Sequence, residues 1–279
     1  MVALPKPREL EIVERIYSAI KTERQDAELY LGRLGSSFIG GKCLRQAWLS
    51  WRAYAAAEFD GRMYRLFETG HLQESRVIED LRRAGFTVYS HAEDGEQFTY
   101  TDETGHFVVK LDGVIKGLPG DAETPHLLEI KTHNKNSFSS LQKYGVRRHK
   151  PEHFAQMQSG MWLGGFAVGL YVAVCKDDES YYVETVPAEP AEQRLVQAKI
   201  LKLFNATLKP AGVSADGGAF ECKWCDQRAV CVGAAPPLKT CRSCMNCRPV
   251  EGGEWLCEVR DEMLSRDQQR AGCDAYEVL

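Results

Sequence analysis

Three charged side chains interrupt apolar stretches where a core is expected. Asp112 stands inside Val108-Val109-Lys110-Leu111-Asp112-Gly113-Val114-Ile115. Sixteen residues lie between it and Glu129, and Glu129 and Lys131 flank Ile130 in Leu127-Leu128-Glu129-Ile130-Lys131-Thr132. Side chains alternate faces along a strand, so Glu129 and Lys131 point the same way. Asp112 joins them if its strand is the neighbour. Two carboxylates on one face offer hard oxygen ligands to Mg²⁺ or Mn²⁺. A lysine beside them can orient an attacking water or offset charge on a phosphate. Such a centre suits hydrolysis of a phosphate ester. The same trio also fits the solvated face of an amphipathic hairpin, with Asp112-Gly113 as a turn.

The cysteines carry a second kind of chemistry. There are ten, and in a reducing compartment they bind metal more readily than they form structural disulfides. Cys43 stands near the start and Cys175 in the middle; the other eight fall between Cys222 and Cys273. Cys222, Cys225 and Cys231 are spaced C-x2-C-x5-C, and three thiolates this close call for a fourth ligand and a metal. No histidine lies beyond His153, so a distant cysteine completes the set, and Cys43 is the candidate. An all-thiolate site suits Zn²⁺ or an iron–sulfur cluster, and spacing leaves both open. A second group follows as Cys241-x2-Cys244-x2-Cys247-x9-Cys257. It can hold Zn²⁺ as a small ribbon, or consist of free thiols or of ligands exchanged with the first set. Cys175 reads as a small buried hydrophobe, and Cys273 has no assignment.

Elements must hold these residues in place. Residues 8–32 read as an amphipathic helix, with Leu10, Val13, Ile16, Tyr17 and Ile20 at helical spacing. A glycine-rich break at Gly35–Gly41 precedes a helical stretch from Lys42 to Leu49. A long helix is expected over 62–84, closed by Gly85. His106–Ile115 and His126–Thr132 are read as strands, joined by a loop holding Gly117, Pro119, Gly120 and Pro125. Pro151 opens a helix to about Leu163. Val168–Val174 and Tyr181–Val186 form a hairpin around Lys176–Glu179, and Glu189–Leu208 is helical. From Cys222 onward apolar periodicity is too thin for an independent core, so metal should hold the tail together.

The chain has 279 residues, enough for one large domain or one domain with a small appendage. One large unit over 1–235 and a cysteine-rich tail over 236–279 is the expected division. Composition is that of a globular protein, 44% hydrophobic and 27% charged. The formal net charge of −4 argues mildly against a nucleic-acid partner, yet a channel needs only local positive charge. Lys143, Arg147, Arg148 and Lys150 supply one, between the Glu129-Ile130-Lys131 strand and the helix after Pro151. Contact with DNA phosphates fits that position. Tyr144 and Trp224 could stack on bases, but core packing is the plainer reading. No apolar run approaches the ~18 residues of a membrane span, and Met1–Leu10 lacks a signal-peptide core. A cytoplasmic protein with no membrane partner is expected.

Asp112 followed by Glu129-Ile130-Lys131 resembles the D…ExK signature of the PD-(D/E)xK nucleases, with Leu111 where proline is usual. Within that superfamily the chain is most similar to the RecB-like branch, which includes lambda-type phage recombination exonucleases and CRISPR-adaptation nucleases of the Cas family. Gly70 followed by Glu74 matches the branch's acidic residue on the helix before the sheet. Gln156 matches the glutamine of Gln-x-x-x-Tyr on the helix after it, where Gly160 stands in place of tyrosine. The resemblance spans residues 40–235 and implies a restriction-endonuclease-like α/β core, a central mixed sheet flanked by helices, followed by a cysteine-rich metal-binding tail. It implies Glu74, Asp112, Glu129 and the Ile130 carbonyl as Mg²⁺ or Mn²⁺ ligands, Lys131 as catalytic lysine and Gln156 as its aide. His71 and Gln158 are competitors for the roles of Glu74 and Gln156. Cys43 in Lys42-Cys43-Leu44-Arg45-Gln46-Ala47-Trp48, with Cys222, Cys225 and Cys231, is similar to the 4Fe–4S segments of the AddB nuclease domain and of the Cas type, where the cluster clamps the two ends of the domain. The function implied is an exonuclease acting on DNA ends in recombination, repair or replication, with a single-strand annealing protein as partner. The alternatives are a CRISPR-adaptation-type trimming nuclease and an inactive, metal-stapled DNA-binding module.

Overall fold

Apolar runs that lack alternation must be covered on both faces, and Leu127-Leu128-Glu129-Ile130 is such a run. It lies at the centre of a five-stranded mixed sheet in the computed structural model, which describes residues 8–24, 29 and 31–279. The N-terminal half comprises α1 (Arg8–Arg24), β1 (Leu34–Gly35), α2 (Ser36–Ile39), α3 (Leu44–Trp51), α4 (Gly61–Arg83), β2 (Thr87–Tyr89), β3 (Thr99–Thr101), β4 (Phe107–Lys110), β5 (Gly113–Lys116) and β6 (His126–His133). There follow α5 (Lys135–His149), α6 (Pro151–Gly164), β7 (Val168–Cys175), β8 (Tyr181–Pro187) and α7 (Pro190–Phe204). The C-terminal region holds α8 (Arg228–Cys231), β9 (Cys247–Val250), β10 (Glu254–Cys257), β11 (Glu262–Met263) and α9 (Arg266–Ala271).

The main sheet runs β2-β5-β6-β7-β8. Only β6 and β7 are parallel, and α5 and α6 make the crossover that a parallel pair requires. α4 covers one face: Val77 and Ile78 pack with Val88, Ile115, Leu128, Ile130, Leu170 and Val172. The other face, with Leu127, Tyr171 and Ala173, packs on Met157 and Met161 of α6 and Phe138 and Leu141 of α5. The side chain of Asp60 caps α4 by accepting from the Met63 amide at 2.8 Å. Smaller sheets run β1-β4-β3 and β11-β10-β9. Trp255 of β10 is fully buried against Trp51 of α3, ring centroids 4.9 Å apart, so the C-terminal hairpin shares the main core.

Several sequence expectations need correction. His106–Ile115 is two strands, not one. Leu111 stays with the small sheet, its amide donating to the Phe98 carbonyl at 3.0 Å, and the chain then passes into the large sheet at Gly113. Asp112 occupies the joint. The basic segment after β6, read only as a charge run, is helix α5, broken at Gly145 (φ 73°). The first helix ends short of residue 32: Leu29 and Leu31–Arg33 are not helical, and Arg242 takes the Leu31 and Gly32 carbonyls. The remainder of that stretch, 25–28 and 30, lies outside the described residues. α7 stops at Phe204 rather than Leu208.

Candidate active site

The β5–β6 register pairs Gly113 with Leu128 and Val114 with Leu127, and Asp112 stands at the bend just before β5. Lys131 follows Glu129 on the same face of β6. The Ile130 amide donates to Asp112 Oδ2 at 2.7 Å, which fixes that carboxylate at the mouth of the ladder. Lys131 Nζ lies 4.0 Å from Asp112 Oδ2 and in close ion-pair contact with Glu129 Oε1. Glu129 is 1% exposed, whereas a quarter of the Lys131 side chain reaches solvent.

Glu74 completes the group from α4, one turn before the buried Val77 and Ile78. It is half-buried, and its carboxyl is pushed up to about 7 by burial and by the neighbouring Asp112. Burial likewise raises Glu129, against the pull of Lys131. Burial opposes the charge of Lys131, but Glu129 and Asp112 outweigh it and hold the ammonium above its usual range. Three carboxylates thus share one ammonium. Glu129 Oε1 is buried and, despite its contact with Lys131, has no aligned hydrogen bond. A hard, doubly charged cation matches what this donor set lacks. The residues therefore fit Mg²⁺ or Mn²⁺. His71 is exposed on α4.

Gln156 lies half-buried on α6, and no hydrogen bond joins it to Lys131. Gln158 is fully buried and structural: it donates to the Pro187 carbonyl at 2.8 Å and accepts from the Glu189 amide at 2.8 Å. At Gly160 a Cβ would stand 2.5 Å from Leu127 Cδ1, so a side chain there would require Leu127 to shift. Of the basic residues, Arg147 is committed to Glu189 and Glu192 at 2.7 Å and lies over the Phe154 ring. Lys150 faces Glu152 at 3.7 Å. Lys143 lies over Tyr144, and Arg148 is exposed without an ion pair among the described residues. Trp224 is 81% exposed and Tyr144 46%, so neither is a core residue as expected.

Beside Lys131 is a polar chain that the motif search passed over. Tyr171, across β7 from Glu129, shares its hydroxyl with His133 Nε2 at 3.0 Å and His153 Nδ1 at 2.8 Å. Ser137 Oγ lies 2.9 Å from His133 Nδ1 and 3.2 Å from His149 Nε2. Burial, helped by Lys150, lowers His133 to about 4, and burial with Lys131 lowers His153 to about 2. Both imidazoles are therefore neutral near pH 7. The signal was available: Glu129, Lys131 and His133 alternate along β6 on one face.

All ten cysteines are free thiols. Cys43, Cys222, Cys225 and Cys231 line one cavity of about 20 Å³. Lys42 pairs with Glu221 at 2.8 Å, Arg45 Nη1 donates to Cys231 Sγ at 3.6 Å, and Gln46 donates to Asp226 at 3.0 Å, so α3 and the 221–231 segment are stitched together. Burial pushes the Cys225 thiol up to about 11. The residues fit a thiolate-held metal. Among the described residues, however, no three or more histidines, cysteines or acids stand closed around a point as metal ligands do. No helix there is long and apolar enough to cross a membrane.

No known family's sequence profile matches the chain, and no curated protein matches it. Among solved structures it is similar to LHK-Exo, an alkaline exonuclease from Laribacter hongkongensis, at 20% identity and a TM-score of 0.44, covering 68% of this chain and 92% of that one. LHK-Exo in complex with dAMP gives 17% identity and a TM-score of 0.44 over 68% and 90%. The protein SSO0001 gives 15% and 0.42 over 79% and 96%. Likenesses this slight decide nothing about the chemistry of this chain.

Proposed function

We propose that this chain is a Mg²⁺- or Mn²⁺-dependent DNA nuclease of the PD-(D/E)xK type that degrades DNA from its ends. The observation that carries the reading is the approach of Lys131 Nζ to both Asp112 and Glu129. Glu74, Asp112, Glu129 and the Ile130 carbonyl would hold the metal, which when bound supplies Lewis-acid stabilisation of a phosphate in displacement. Lys131 would orient the attacking water and offset charge on the scissile phosphate. Gln156 would position the phosphate, since it makes no bond to Lys131. Lys143 and Arg148 are free to meet the DNA backbone; Arg147 serves α7 instead, and Lys150 lies beside Glu152. Recombination, repair or replication, with a single-strand annealing protein as partner, is the setting in which such an activity would act.

The cavity formed by Cys43, Cys222, Cys225 and Cys231 would hold a 4Fe–4S cluster that ties α3 to the segment after α7. A second reading for the same four thiolates is a single Zn²⁺ ion. Anaerobically purified protein separates the two: a brown protein absorbing near roughly 400 nm carries the cluster, a colourless one with stoichiometric zinc the ion. The nuclease reading is tested with end-labelled linear DNA and closed circular DNA in Mn²⁺ or Mg²⁺, with Lys131→Ala alongside. Degradation of the linear form alone, lost in the variant, is expected. Equal activity in Lys131→Ala would remove the site assignment.

A further inference from the structure

A second cavity of about 20 Å³ lies in the C-terminal region and is lined by Cys241, Cys244, Cys247, Cys257 and Cys273. Cys241 and Cys244 sit on one tight turn, the Cys244 amide donating to the Cys241 carbonyl at 3.0 Å. Cys257 ends β10, directly across the hairpin from Cys247. Cys273 follows α9, and its placement is built. A capping box of Ser265 and Gln268 starts that helix, and the Cys241 amide donates to the Gln269 carbonyl at 2.8 Å. Gly272 then turns at φ 64°, where a Cβ would stand 2.6 Å from the Lys239 carbonyl oxygen. Only glycine passes that point.

Cys241, Cys244, Cys247 and Cys257 belong to the apolar core, and any one alone would read as a small buried hydrophobe. Cys273 would not: it is partly exposed and lies outside the core. Five thiols meeting on one cavity need another cause, and a nearby charge points to it. Arg52 is 2% exposed, set between the Trp48 and Trp255 rings, each 5.4 Å from its guanidinium. It donates to the Cys244 and Cys247 carbonyls at 2.9 and 2.7 Å, and its Nε has no partner. Its largest charge-bearing neighbours are the Cys247 thiol, the Tyr54 phenol and the Cys244 thiol. A buried cation is strongly unfavourable without a counter-charge. Four thiolates around a doubly charged ion carry a net charge of minus two and would supply it. Arg260, also at the cavity, is ion-paired with Glu262 at 3.4 Å and lies beside Cys273.

We propose that Cys241, Cys244, Cys257 and Cys273 hold one zinc ion in a tetrahedral thiolate site, with Cys247 as its buried neighbour and Arg52 offsetting part of its charge. Four S–H groups give their protons to solvent as the ion enters. Nothing in this site depends on the nuclease reading.

Zinc per chain is measured by mass spectrometry in the wild type and in Cys273→Ser, Cys273→His and Cys247→Ser. The difference between proteins is read, so the metal held with Cys43 does not enter. Cys273→Ser should carry one equivalent less than the wild type, while Cys273→His and Cys247→Ser keep it. Loss in Cys247→Ser with retention in Cys273→Ser overturns the ligand set. If Cys273→Ser is insoluble, alkylation of the native wild type decides: Cys273 should resist iodoacetamide until a chelator strips the zinc. Ready alkylation of Cys273 without chelator overturns the site.

Discussion

The acid–lysine cluster and the two cysteine-lined cavities are assembled in opposite ways. Glu129 and Lys131 are fixed by a strand at the centre of a sheet whose faces are covered by α4, α5 and α6, and Asp112 is held by the Ile130 amide. Cys43 meets Cys222, Cys225 and Cys231 across most of the sequence, and the segment bearing those three has only short helical turns. Cys273 reaches Cys241 through a six-residue helix and a glycine turn. Ladder and core organise the first site for a metal; in the other two, a metal would organise the chain. Substitutions at the sheet should cost activity with little stability, and substitutions at the cysteines the reverse.

The largest effect expected tests the second half of that contrast. Structural thiolate metals contribute apparent binding free energies on the order of 10 kcal/mol, realised as folding. Cys225→Ala should therefore yield protein that is insoluble or melts far below the wild type. An unchanged melting curve would show that the four thiols are organised without metal, as the carboxylates are. Next in size, Lys131→Ala and Asp112→Ala should each lower cleavage by about 10²- to 10³-fold, the scale of losing one charge-stabilising group. Circular dichroism melts should stay close to wild type; a collapse of the fold in Lys131→Ala would erase the contrast from the other side.

A smaller effect concerns pH. The Glu74 carboxyl is raised in the fold from 4.5 to about 7, so the folded chain binds this proton more tightly than the unfolded one. That stabilisation is complete below about pH 4.5 and is lost as pH rises through 7. Metal-free protein should lose stability across this window. Glu74→Gln should flatten the slope in a urea titration, and added Mg²⁺ should reverse it. The smallest effect separates two neighbours on α5. Arg148→Ala should weaken DNA binding and reduce the salt slope by about 1. Arg147→Ala should leave the slope alone and cost under about 1 kcal/mol of stability by releasing Glu189 and Glu192.

Much of the sheet was legible because β6, β7 and β8 are short stretches rich in Val, Leu, Ile, Thr and Tyr between turn residues. The His106–Ile115 error has a physical origin: Asp112 takes the Ile130 amide through its side chain, and a strand that changes sheets at a polar joint looks continuous in a hydropathy pattern. The Glu129-Ile130-Lys131 face followed from alternation alone, whereas the approach of Glu74 depends on how α4 crosses the sheet and was reachable only through resemblance. Cys273 was left unassigned because ligand spacing is read from short intervals, and its partner Cys241 lies a whole hairpin and helix away. The ion pairs of Arg147 were not legible for a similar reason, since Glu189 and Glu192 come from α7.

The chain of side chains through Tyr171 has a consequence for the inner wall of the acid–lysine site. A hydroxyl donates one proton, so Tyr171 can give to only one of His133 and His153 and must receive from the other. Ser137 stands in the same position between His133 and His149. A neutral His133 carries a single N–H. If it points that proton at Tyr171, Tyr171 turns to His153, Ser137 turns to His133, and His149 gives to Ser137. If His133 points it at Ser137, every one of these bonds reverses. The wall therefore has two self-consistent dipole orderings, and any mixed arrangement leaves a lone pair facing a lone pair or a proton facing a proton. The ¹⁵N chemical shifts of His133 would register which ordering the protein has taken.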